Sequence, residues 1–146
     1  MSRCVFTACF GALVWFAAGC VPSPPPGSGS APAAGNPSGY VQRISADQLD
    51  GWRGVHYEGL VLDVRGPEEW NGVHGHLDGA VLIPMGELQQ RIPEIARFRG
   101  KPVLVYCKDG TRSLSAAQTL VSNGFRDVTS LDGGIAAYRQ LYPLTP

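Results

Sequence analysis

Pro102-Val103-Leu104-Val105-Tyr106 runs directly into Cys107-Lys108-Asp109-Gly110-Thr111-Arg112-Ser113. The first five residues are strongly β-forming and too few for a helix, so they read as a buried strand. The next seven are polar and contain a glycine, which marks a tight loop. After them the spacing predicts a helix over Ser113 to Asn123, with Leu114, Ala117, Leu120 and Val121 on one face and Gly124 as its C-terminal stop. Apolar strand, short loop and helix in succession is the unit of a parallel sheet.

The same alternation extends outward in both directions. Upstream, Leu60-Val61-Leu62-Asp63-Val64 and Ala80-Val81-Leu82-Ile83 read as short buried strands. Pro67-Glu68-Glu69-Trp70 suits a helical first turn, with proline early and acids at the positive end. Leu88, Ile92, Ile95 and Phe98 recur at helical spacing, with Pro93 as a kink or break. Tyr40 to Ile44 reads as a first strand, and Ser45 to Gln48 as a capping box that turns Leu49 and Trp52 inward. Downstream, Val128 to Leu131 is a last strand and Ile135 to Leu141 a last helix. Apolar strands alternating with helices predict an α/β fold whose parallel sheet is covered on both faces.

In such sheets ligands bind beyond the carboxyl ends of the strands, which is where Cys107 falls. Its thiol would face the N-terminus of the following helix, whose free N–H groups and dipole favour the thiolate. Gly110 allows a tight turn with amides facing inward. Lys108 and Arg112 add positive charge for an anionic substrate, Asp109 stands at the loop rim, and Thr111 and Ser113 supply backbone N–H groups and caps.

The pattern Cys107-x-x-Gly110-x-Arg112-Ser113 resembles the active-site loop of the rhodanese family, the single-domain sulfurtransferases. Leu62-Asp63-Val64-Arg65 with Glu69, then Gly75-His76-Leu77-x-Gly79-Ala80, resemble two earlier motifs of that family. Leu131-x-Gly133-Gly134-Ile135 and Tyr142-Pro143 resemble a C-terminal one, and the likeness covers roughly residues 41 to 143. It implies a three-layer fold with a central, mainly parallel five-stranded sheet flanked by helices. It also implies sulfur transfer through a persulfide on Cys107, with residues 108–113 binding substrate and Asp63 and Arg65 bracing the site. The implied partners are a small sulfur donor such as thiosulfate and a thiophilic acceptor such as cyanide or a thiol, with no cofactor. Two alternatives share Cys107. One is a non-catalytic carrier that delivers persulfide to a protein partner. The other is a phosphatase or arsenate reductase, whose loop ordinarily has five residues between cysteine and arginine, where this chain has Lys108, Asp109, Gly110 and Thr111.

Composition separates this region from what precedes it. The 146 residues carry twelve basic and twelve acidic side chains, a balance that argues against a nucleic-acid or polybasic membrane binder. Arg3 is the one charged side chain before residue 40. From Cys4 to Ala18 the chain is uncharged and mostly apolar, shorter than the ~20 residues that span a bilayer, and it ends in Ala17-Ala18-Gly19-Cys20. This resembles a bacterial lipoprotein signal, with residues 1–19 removed and Cys20 lipidated. Val21 follows where an inner-membrane retention signal would carry Asp, so the expected site is the periplasmic face of the outer membrane. Val21 to Gly39 is rich in Pro, Ser and Gly, with neither charge nor aromatic residue, and reads as a disordered tether before a domain over 40–146. His74 and His76 form an H-x-H pair, but no further histidine stands near it in the sequence and no cysteine has zinc-ligand spacing to it, so no metal site is expected. With Cys4 and Cys9 in the signal and Cys20 capped, Cys107 would be the only free thiol.

Overall fold

A computed structural model describes residues 40–144. The expected signal, the lipid site at Cys20 and the tether all lie outside these residues. In chain order the elements are β1 (Gln42–Ile44), a 3-10 turn (Ala46–Gln48), α1 (Leu49–Val55), β2 (Leu60–Asp63), α2 (Pro67–Trp70) and β3 (Val81–Leu82). Next come α3 (Leu88–Arg91) with a 3-10 continuation (Ile92–Phe98), β4 (Pro102–Tyr106), α4 (Thr111–Ser122), β5 (Asp127–Leu131) and α5 (Gly134–Leu141). Pro93 lacks the N–H that an α-helical turn needs, and the chain tightens to 3-10 around it.

The five strands form one sheet in the order β1-β5-β4-β2-β3. Every pairing is parallel, so the sheet is wholly parallel. β4 lies at its centre, with Leu62 opposite Val105 and Asp63 opposite Tyr106. The two-residue side-chain period of a strand sorts the core into two layers. Leu60, Leu62, Val64, Val103, Val105 and Cys107 pack on one face with Leu88, Ile92 and Leu120. Val61, Leu104 and Tyr106 pack on the other with Leu49, Ile135 and Tyr138. The sheet is thus covered by α3 and α4 on one side and by α1 and α5 on the other.

One boundary and one helix face differ from the sequence reading for physical reasons. Gly110 has φ +94°, a left-handed conformation that ends the loop and lets α4 begin at Thr111 rather than Ser113. The buried stripe of α4 is Ser113, Ala116, Ala117 and Leu120, while Leu114 and Val121 are only partly buried. The helix is therefore rotated by one residue from the expected face. That rotation turns the Ser113 hydroxyl inward.

Asp63 and Arg65 form a fully buried ion pair. Arg65 Nη2 donates to Asp63 Oδ2 at 2.7 Å and its Nε bridges both carboxylate oxygens at 3.0 Å. The guanidinium also donates to the Gly75 carbonyl at 2.7 Å and lies over the Tyr106 ring. Tyr106 in turn accepts the Leu77 N–H through its hydroxyl. Buried charges need such full pairing. The result fixes the irregular segment between α2 and β3 against the sheet.

The C-terminal edge of the sheet is closed by α5. Gly133 and Gly134 have φ +69° and +58°, which lets α5 turn sharply off β5. The N–H groups of Ile135 and Ala136 donate to the carbonyls of Cys107 and Lys108 at 2.8 and 3.0 Å. The first amides of a helix have no partners within it; here they hold the loop after β4. A Cβ on Gly134 would overlap those same carbonyls of Cys107 and Lys108. Gly134→Ala is therefore expected to cost at least about 2 kcal/mol of stability, from positive φ and steric overlap together. Urea denaturation of the purified domain checks this.

Candidate functional site

Cys107 follows the last residue of β4, and the chain from there to Gly110 folds back over its sulfur. Because the Cys107 and Lys108 carbonyls are held by α5, the succeeding amides are free to face the thiol. The Gly110 N–H donates to Cys107 Sγ at 3.2 Å and the Ser113 N–H at 3.4 Å. Two fixed N–H dipoles converging on one sulfur favour negative charge there. Ser113 Oγ lies 3.8 Å from the same sulfur and donates to the Gly110 carbonyl at 3.0 Å, while Ser130 Oγ donates to Ser113 Oγ at 3.0 Å. Cys107 has no solvent-exposed surface. A reactant reaches it only past the groups at the loop rim.

Those rim groups carry most of the charge. Asp109 Oδ1 accepts the Thr111 N–H at 3.0 Å and its hydroxyl at 2.8 Å, and lies 3.6 Å from Cys107 Sγ. These Thr111 donors hold the Asp109 carboxyl below the usual carboxylate range. Lys108 is exposed, and its ammonium has no ion pair among the described residues.

Arg112 differs from expectation. Both of its terminal nitrogens are directed to Glu69, at 2.8 and 3.0 Å, in a two-point ion pair between α4 and α2. The sequence reading had these donors facing a substrate. Instead they bind α2 to the active loop. The hydrogen bonds from Arg112 hold the Glu69 carboxyl below its ordinary value, and Glu69 raises that of Arg112 in turn.

The residues expected near the site divide by location. Asp109, Gly110 and Ser113 contact the Cys107 sulfur, and Thr111 holds Asp109 in place. Asp63 and Arg65 act on the sheet face opposite Cys107, bracing the segment around Gly75. His76 stacks on Trp70 at 3.9 Å, and Arg139 donates to the carbonyls of both His74 and His76. Neither the pairing of Glu69 with Arg112 nor the role of Ser130 was read from the sequence. The visible signal for Ser130 was the hydroxyl pair Thr129-Ser130 between the apolar Val128 and Leu131 of the last strand.

Comparison with known proteins agrees with this architecture. The family model described as rhodanese-like domain matches residues 45–141. The chain is 41% identical over 96 residues to the uncharacterized protein YqhL of Bacillus subtilis, covering 65% of this chain and 73% of that one. It is 35% identical over 96 residues to the thiosulfate sulfurtransferase GlpE of Coxiella burnetii, covering 65% of this chain and 86% of GlpE. Among solved structures, a rhodanese-related protein from Thermoplasma volcanium superposes with a TM-score of 0.59 at 29% identity, over 70% of this chain and 93% of the other.

The Glu69–Arg112 pair lies at the surface, with side chains 25% and 40% exposed. Its net worth is at most about 1 kcal/mol at neutral pH. Because folding depresses the Glu69 pKa, its contribution is complete above the unfolded carboxyl value and lost as pH falls through the folded one. Glu69→Gln is expected to be slightly less stable than the parent at pH 7, with the gap closing below about pH 4. Urea midpoints of both proteins measured across pH 3 to 7 check this.

Proposed function

The chain belongs to the rhodanese-like domain family, and from that premise we propose that it is a sulfurtransferase that moves sulfane sulfur through a persulfide on Cys107. The observation that carries the reading is the pair of amide donors, from Gly110 and Ser113, converging on Cys107 Sγ at the carboxyl edge of the sheet. The cysteine thiolate attacks the outer sulfur of a donor such as thiosulfate. The S–S bond breaks, sulfite leaves with the bonding pair, and the outer sulfur remains on Cys107 as the persulfide anion. A thiophilic acceptor, cyanide or a thiol, then attacks that sulfur and returns the thiolate. Dividing the transfer into two steps is what a covalent intermediate contributes. The amides that face the resting sulfur are placed to stabilise the charge as it passes to the terminal sulfur.

The loop supports this over phosphate-ester chemistry. Four residues separate Cys107 from Arg112, and the guanidinium is committed to Glu69 rather than to a ring of donors around a tetrahedral anion. Mass spectrometry of residues 40–146 after thiosulfate treatment is expected to find a gain of one sulfur atom, removed by cyanide and absent in Cys107→Ser. Failure of every sulfur donor to add sulfur at Cys107 overturns the assignment.

We further propose that the domain is held at the outer membrane by a lipid on Cys20 and faces the periplasm. The reading is supported by Arg3, the uncharged apolar run after it, the small residues Ala17-Ala18-Gly19 before the cysteine, and the Pro- and Ser-rich stretch to Gly39. In cells expressing the full chain, Cys20→Ser is expected to abolish acyl labelling and release the protein from the membrane fraction. Retention of the variant in that fraction would mean an uncleaved anchor instead.

A further inference from the structure

We propose that Asp109 sets the donor specificity of this site, turning it away from multiply anionic sulfane-sulfur donors such as thiosulfate and toward persulfides whose carrier is uncharged or cationic. The inference rests on the sulfurtransferase reading above.

Three observations converge on it. First, Cys107 has no exposed surface, whereas Asp109 is exposed and its Oδ1 stands 3.6 Å from Sγ. A donor meets the carboxylate before the sulfur, and its own outer sulfur must come to rest beside that carboxylate. Second, the carboxylate is pinned. The Thr111 N–H and hydroxyl both donate to Oδ1, so Asp109 cannot swing away from an anion without losing two hydrogen bonds. The same donors keep it ionised at neutral pH. Third, the cation that would offset it is engaged elsewhere. Arg112 is neutralised by Glu69 in a two-point pair, which leaves Lys108 as the one loop cation without an ion pair among the described residues. With Lys108 alone to set against Asp109, the rim has no net positive charge, and the carboxylate 3.6 Å from Sγ adds to the thiolate's own repulsion of a dianion. The distances lie well inside the ~8–10 Å screening length at ordinary ionic strength, so salt only partly hides the repulsion.

Thiosulfate brings two negative charges to this rim and must release sulfite with two. A persulfide R–S–SH delivers the same sulfur with less charge. The Cys107 thiolate attacks the outer sulfur and the S–S bond breaks. The thiolate R–S⁻ then leaves with the bonding pair, and Cys107 retains the outer sulfur with its proton. Where R bears an ammonium group, Asp109 attracts the carrier instead of repelling it.

The test measures the rate of sulfur loading on Cys107 by mass spectrometry with three donors: thiosulfate, the persulfide of 2-mercaptoethanol and the persulfide of cysteamine. Asp109→Asn keeps an oxygen that accepts from Thr111 and removes the charge; because Asp109 Oδ1 also accepts from the Cys107 thiol, ratios between donors are compared and not absolute rates. In the variant, the rate ratio of thiosulfate to mercaptoethanol persulfide is expected to rise about fivefold or more, the size of effect one charge exerts at about 4 Å in water. The ratio of cysteamine persulfide to mercaptoethanol persulfide is expected to fall severalfold. A second measurement needs no variant: loading of the parent protein by thiosulfate should accelerate with added salt, and loading by cysteamine persulfide should slow. Unchanged ratios in the variant, or slower thiosulfate loading with added salt, overturn the role of Asp109 while leaving the sulfurtransferase intact. Absence of loading by all three donors overturns the sulfurtransferase reading and this inference together.

Discussion

The geometry of the site depends on two hydrogen bonds that run from the start of α5 to the loop after β4. Ile135 and Ala136 donate to the carbonyls of Cys107 and Lys108. A peptide unit cannot turn its carbonyl one way without turning its N–H the other, so fixing those oxygens constrains the amides that follow. Gly110 then turns through positive φ and its N–H meets the sulfur. The arrangement satisfies helix-end donors and loop carbonyls together, polar groups that would be costly to bury unpaired. It also explains two consecutive glycines after β5, since a side chain on Gly134 would occupy the space of the docked carbonyls.

A second constraint is electrostatic. Around the sulfur, neutral dipoles are aimed inward while formal charges are balanced in pairs further out. Glu69 answers Arg112, and Asp63 answers Arg65 on the far face of the sheet. The field at Cys107 Sγ combines the oriented N–H groups of Gly110 and Ser113 with the Asp109 carboxylate 3.6 Å away. Fixed dipoles need no reorganisation as negative charge moves from one sulfur to the next, which suits a site where charge shifts by a single bond length.

Much of this was legible in the sequence because strands and helices impose their own periods. The buried runs at Leu60–Asp63 and Pro102–Tyr106, and the seven residues from Cys107, located two strands of the sheet and the loop. What escaped was information that depends on partners distant along the chain. Arg112 alone reads as a substrate-binding cation, and only the return of α2 to the loop shows it committed to Glu69, 43 residues earlier. Leu114 and Val121 complete a helical stripe with Ala117 and Leu120 as well as Ser113 and Ala116 do, and in the structure the latter pair is buried, with Ser113 meeting the thiol. Gly133 and Gly134 were visible as a motif, but their reason is the close approach of two loops, a property of tertiary structure.

Cys107 is the only cysteine between residues 40 and 146. Two-cysteine redox sites discharge a sulfur adduct through a second, resolving thiol that closes a disulfide. Here no second thiol exists within the domain, so a persulfide formed at Cys107 can be resolved only by an acceptor that comes from outside. That acceptor must follow the donor's route, past Asp109 and Lys108, because the other sides of the sulfur are closed by the buried core and by α4. On the proposed sulfurtransferase reading, loading and unloading share one entrance, and whatever charge preference the rim imposes on the donor it imposes equally on the acceptor.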